Sequence, residues 1–206
     1  MADNTLLAPS ISHRYTGVEQ DEIANWKVNH TDVCSFKYLV MLLHEWLVEE
    51  GYASRSDKDF PETIYVERVS TFGREIFIRW RCVKKTGDSL FNYAFDIEFH
   101  TVGLKEVEIM HKGQKFKADK GEVEVALVAN LLIDPERTWE NHWLLKYFKK
   151  TMLGPKGLLI TKRKLHQKLL EGEANRFQDA IKTYLKLDTY LPERENKEFW
   201  AKKTPE

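Results

Sequence analysis

The hydrophobic period of this chain changes twice, and those changes restrict the fold more than any other feature. Apolar residues recur at helical spacing over about 33–50, alternate at a spacing of two between 62 and 134, and return to helical spacing from 138. The middle section reads as a series of half-buried antiparallel strands. Residues 63–69 (TIYVERV) form a short strand of mixed pattern. Residues 74–84 set Ile76, Ile78, Trp80 and Cys82 on one face against Glu75, Phe77, Arg79 and Arg81 on the other. Thr86-Gly87-Asp88 reads as a hairpin turn. Residues 90–101 then alternate Phe91, Tyr93, Phe95, Ile97 and Phe99 against Asn92, Ala94, Asp96, Glu98 and His100. Gly103 reads as the next turn, 105–111 as a strand, 112–121 (KGQKFKADKG) as a polar connection, and 122–133 as a last strand ended by Asp134-Pro135.

The flanks are helical. Thr31 or Asp32 is suited to cap a helix over 33–50, with an apolar stripe at Phe36, Leu39, Val40, Leu43, Trp46 and Leu47. Gly51 follows it as the residue that accepts a left-handed conformation at a helix end. Residues 138–152 form a second helix with Trp139, Trp143, Leu144, Tyr147 and Phe148 on one side, and Gly154-Pro155-Lys156-Gly157 breaks the chain. A third helix over 161–186 carries its stripe at Leu170, Ala174, Phe177, Ile181 and Leu185. Hairpins between helical blocks imply an α+β fold, an antiparallel meander of four to five strands with the helices on its apolar face. The expected organisation is a mobile segment over 1–30, with one or two helical turns at 21–28 docking Ile23 and Trp26, a single domain over 31–190, and a charged tail over 191–206.

Composition narrows the class of protein. Hydrophobic residues at 42% and aromatics at 12% suffice for a real core. Cys34 and Cys82 read as small buried hydrophobes, too few for a disulfide scaffold. No apolar run is long enough to span a bilayer as a helix, and the N-terminus lacks the pattern of a signal peptide, so a cytoplasmic location is expected. The oligomeric state is not readable.

Motifs for catalysis, metal binding or phosphate binding are absent. The seven histidines make no zinc spacing, no Gly-x-Ser-x-Gly occurs, and the ten glycines form no phosphate loop. No cofactor is therefore expected, and the balance is against an enzyme. One polar constellation remains. Asp96, Glu98 and His100 project from one strand face and have the chemistry for a divalent cation or an acid/base pair. Neighbouring strands offer Arg79 and Arg81 on one side and Glu106 and Glu108 on the other, so cross-strand charge pairing accounts for the same pattern.

Charge is unevenly distributed within a neutral total. Residues 1–141 hold 17 basic and 24 acidic side chains, a net of −7, whereas 142–206 hold 15 and 8, a net of +7. Between Glu140 and Glu171 there is no acid at all, while Lys146, Lys149, Lys150, Lys156, Lys162, Arg163, Lys164 and Lys168 fall there among aromatic and aliphatic residues. Two readings follow. Either these cations pair with the acidic remainder of the chain, or the basic helix–loop–helix of 142–168 contacts an acidic protein, a nucleic acid or an anionic membrane surface. In the second reading Lys149, Lys150, Lys162, Arg163 and Lys164 carry the charge, and Trp143 and Phe148 anchor the segment. The expected function is that of a non-enzymatic binding or adaptor domain. A small-molecule- or metal-binding protein or enzyme, using the polar face or a cavity of the sheet, is the alternative.

Overall fold

The computed structural model describes residues 18–56, 59–111, 114–153 and 157–187. Its strands are β1 (Glu19–His30), β2 (Val33–Cys34), β3 (Glu62–Ser70), β4 (Gly73–Lys85), β5 (Phe91–His111) and β6 (Gln114–Ile133). Its helices are α1 (Phe36–Glu49), α2 (Thr138–Asn141), α3 (Leu145–Leu153) and α4 (Ile160–Leu187). The strands form one antiparallel sheet in the order β1-β6-β5-β4-β3, with β2 paired to Asp119 and Lys120 of β6. The fold is α+β, as the change of period implies.

Cross-strand register puts the alternating apolar residues on one face. Trp80 lies opposite Ile97, Phe95 opposite Ala129 and Phe99 opposite Val125. Helices α1 and α4 cover that face, and Phe177 of α4 meets Trp26, Trp46 and Phe95 at ring separations of 6.2, 4.9 and 6.0 Å. Tyr52 stacks on Phe95 at 4.2 Å. A fully buried aromatic of this kind contributes about 1.5–3 kcal/mol through loss of water contact. Both cysteines are buried, and neither is in a disulfide.

Residues 19–30 are an edge strand, not a mobile segment with helical turns. The signal was hidden by a bulge between Glu22 and Ala24, which shifts the alternation by one residue and brings Ile23 to the core beside Ala24, Trp26 and Val28. The earlier part of the expected mobile segment, and the expected tail over 191–206, lie outside the described residues. Helix α1 begins three residues later than expected, because Val33 and Cys34 pair with Lys120 and Asp119 of β6. Its N-cap is Ser35, whose side chain makes no capping hydrogen bond to the helix, and Asp119 accepts from the Phe36 amide at 3.3 Å instead. The far end follows expectation. Gly51 has φ +80°, its amide donates to the Val48 carbonyl, and the Tyr52 amide reaches back to Leu47 at 2.8 Å.

The polar stretch 112–121 is mostly strand. Gly103 marks a bulge within β5 between Val102 and Lys105, and β5 and β6 continue past it as a two-stranded arm. The bulge works because three strands approach closely there. A Cβ on Gly73 would stand 2.6 Å from the Gly103 carbonyl carbon, and one on Gly121 would stand 2.9 Å from the Leu104 Cα. The arm carries Glu108–Lys115 and Glu106–Lys117 ion pairs at 3.2 and 3.7 Å on one exposed face, which accounts for the polar residues there, while Ala118 on the opposite face is buried.

Candidate functional site

The single helix expected over 138–152 is two short ones, and the break reverses what the second helix presents. Asp134 at the end of the sheet has φ +52° and a side chain with no exposure. Its carboxylate accepts from Thr138 Oγ1 at 3.0 Å and from the Trp139 and Glu140 amides at 3.2–3.3 Å, which caps α2. A carboxylate buried this way favours a nearby cation. Lys149 turns inward to supply it, with Nζ 3.6 Å from Asp134 and 3.8 Å from Glu140. His142 Nδ1 then accepts from the Leu144 and Leu145 amides at 3.3 Å and starts α3.

With Lys149 facing in, the aromatic row of this segment faces out. Trp143 in the turn before α3 and Tyr147 on α3 are 77% and 79% exposed, and Phe148 next to Tyr147 is 46% exposed. Of the expected row, only Trp139 packs against the core. After the turn, the Leu159 amide donates to the Met152 carbonyl at 3.0 Å, and Leu158 at that turn is 79% exposed. Leu165 and Leu169 continue the outward line along α4 at helical spacing.

The cations divide into two groups. Lys162 bonds Asp88 at 2.6 Å. Arg163 grips Asp21 through Nε at 2.8 Å and a terminal nitrogen at 2.6 Å, and reaches Glu19 at 3.2 Å. The hydrogen bonds to Asp21 raise the Arg163 pKa above its ordinary value despite burial. With Lys149, these side chains face acids of the same chain. Lys146, Lys164 and Lys168 stay exposed, and none of them is among the ion pairs of the described residues. The Lys150 side chain and Lys156 lie outside the described residues. Lys146, Lys168 and Tyr147 are not among the contacts that the sequence nominates. Helical phase relative to buried Asp134 is the signal that would have promoted them.

One polar cluster had no signal in the sequence, because His166 lies 73 or more positions from both Tyr93 and Asp88. Tyr93 Oη lies 2.8 Å from His166 Nδ1, and His166 Nε2 lies 3.5 Å from Asp88. The imidazole also stacks on Phe91 at 4.8 Å. Burial lowers the His166 pKa, with Asp88 opposing and Lys162 reinforcing the shift. Burial acts to raise Asp88, but Lys162, the Leu90 amide and His166 outweigh it and hold the carboxyl below the usual range. Burial, together with Glu173 and Asp88, pushes Tyr93 up to about 12. A buried phenol with a raised pKa is a poor nucleophile. The cluster fastens α4 to the sheet.

On the other face of the sheet, each of the three residues with site chemistry already has a polar partner on a neighbouring strand. Asp96 lies 3.8 and 3.9 Å from Arg79 and Arg81, Glu98 pairs with Arg79, and His100 sits 3.3 Å from Glu75. Among the described residues no group of three His, Cys, Asp or Glu is arranged to hold a metal ion. No helix of the described residues is long and apolar enough to cross a membrane. No protein-family model, curated protein or solved structure matches the chain.

Proposed function

We propose that the protein is a non-enzymatic binding module, cytoplasmic in location, that docks an anionic partner through the outward face of 142–169. The observation that carries this reading is the inversion at α3: Lys149 points into the fold and Trp143 and Tyr147 point out of it. Trp143, Tyr147 and Phe148 put three exposed aromatics within six residues, and a cluster of this kind marks an interaction surface, whereas the other strongly exposed aromatics of the described residues, Phe72 and Tyr65, lie on β3 and the turn after it. The acid-free stretch around it supplies the sign of the partner, because Lys146, Lys164 and Lys168 are left to answer external negative charge.

Lys162 and Arg163, which the sequence nominates as contacts, support the surface indirectly by fixing α4 to Asp88, Asp21 and Glu19. The test is retention on a panel of anionic probes, namely heparin, duplex DNA and phosphatidylserine vesicles. Binding to at least one probe should weaken with rising salt and in a Lys146→Glu/Lys164→Glu/Lys168→Glu variant whose melting temperature is unchanged. Failure to bind any probe, or equal binding by the variant, would overturn the proposal.

A further inference from the structure

We infer that the partner is the surface of an anionic lipid bilayer, with Trp143, Tyr147 and Leu158 entering the headgroup region while Lys146, Lys164 and Lys168 meet lipid phosphates and carboxylates. This rests on the docking role of the same segment. Three features favour lipid over other anions.

Composition comes first. Tryptophan and tyrosine combine an apolar ring with a polar edge and gather at membrane–water interfaces, and lysines flanking them add attraction to anionic headgroups. Exposure is the second. Side chains that are 77–79% exposed stand clear of their neighbours. Knobs without a surrounding rim suit insertion among fluid chains, whereas a protein hot spot lies in a packed pocket ringed by contacts that exclude water.

Available charge is the third. Nucleic-acid affinity comes largely from cations neutralising phosphates. Lys149, Lys162 and Arg163 are committed to Asp134, Asp88, Asp21 and Glu19, which removes much of the basic stretch from that role. A bilayer needs fewer cations, since apolar insertion and a modest basic patch together give stable but reversible binding.

The experiment is co-sedimentation with vesicles of phosphatidylcholine with and without phosphatidylserine, run beside heparin and duplex DNA. Wild-type protein should sediment only with the phosphatidylserine vesicles. The triple Lys→Glu variant should bind on the order of a hundredfold more weakly, at a few-fold per lysine. Trp143→Ala/Leu158→Ala should bind at least about tenfold more weakly. Bromine-labelled lipid should quench tryptophan emission in the wild type, and Trp143→Phe should lose most of that quenching. Binding to DNA or heparin without vesicle binding overturns the lipid assignment and leaves the docking surface standing. Vesicle binding without quenching, or quenching kept by Trp143→Phe, overturns the insertion of Trp143. Binding to nothing removes both readings.

Discussion

Helices α3 and α4 follow each other closely, carry similar mixtures of lysine and large apolar residues, and use them in opposite ways. Helix α4 turns Leu170, Ala174, Phe177, Ile181 and Leu185 onto the sheet and leaves most of its charges at the surface. Helix α3 turns a lysine inward and its aromatics outward. Amphipathicity sets which residues share a face, but not which face is buried. For α4 the choice goes to the larger apolar burial, because the aromatic nest of Trp26, Trp46 and Phe95 is available to Phe177. For α3 the choice goes to the charge requirement of Asp134, which sits at the end of the sheet where no comparable nest is offered.

That contrast is sharpest where its two anchors are removed. Phe177→Ala should cost about 3–5 kcal/mol in denaturant unfolding, since the cavity would lie among the rings of Trp26, Trp46 and Phe95. Asp134→Ala should cost about 2–3 kcal/mol by uncapping α2 and leaving Lys149 without its nearest counter-charge. Within the same helix, Lys149→Glu should lower the denaturation midpoint while Lys146→Glu leaves it in place. Equal effects would show that the inward and outward positions are not distinct.

A smaller effect should come from pH. The folded state holds His166 below its ordinary value of 6.5, so it favours the neutral ring. The stability this represents is complete above pH 6.5 and is lost as pH falls through the lowered folded value. Asp88, also held low, adds a loss in the same direction beginning near its ordinary value of 3.8. Denaturant midpoints measured as pH is lowered should decline below 6.5 in the wild type and decline less in His166→Gln. The smallest effect is expected at the outward row. Trp143→Ala and Tyr147→Ala should each change stability by no more than about 0.5 kcal/mol, because neither side chain is packed. A larger loss would place the row in the core and remove the docking surface.

Much of the fold is legible in the sequence because it depends on period alone. The inner faces of β4, β5 and β6, the stripe of α4 and the left-handed Gly51 all follow from spacing and from glycine's freedom. The misreadings occur where a bulge breaks the period. Ile23 shifts the phase of β1 and conceals a strand, and Gly103 looks like a turn because glycine serves bulges and turns equally well. The candidate surface was half legible. Its composition and its lack of acids are in the sequence, and Trp143, Phe148 and Lys164 were placed in it from there. The division between cations paired within the fold (Lys149, Lys162 and Arg163) and the others was not, since each paired cation meets an acid supplied by a distant turn, strand or strand end.

The sequence by itself therefore determined the α+β class, the composition of the core and the segregation of basic charge, because periodicity and local turn chemistry act over a few residues. Only the tertiary structure decided which face of α3 meets solvent. That choice depends on the desolvation of one carboxylate, Asp134, and a buried charge selects its partner by distance in space rather than along the chain.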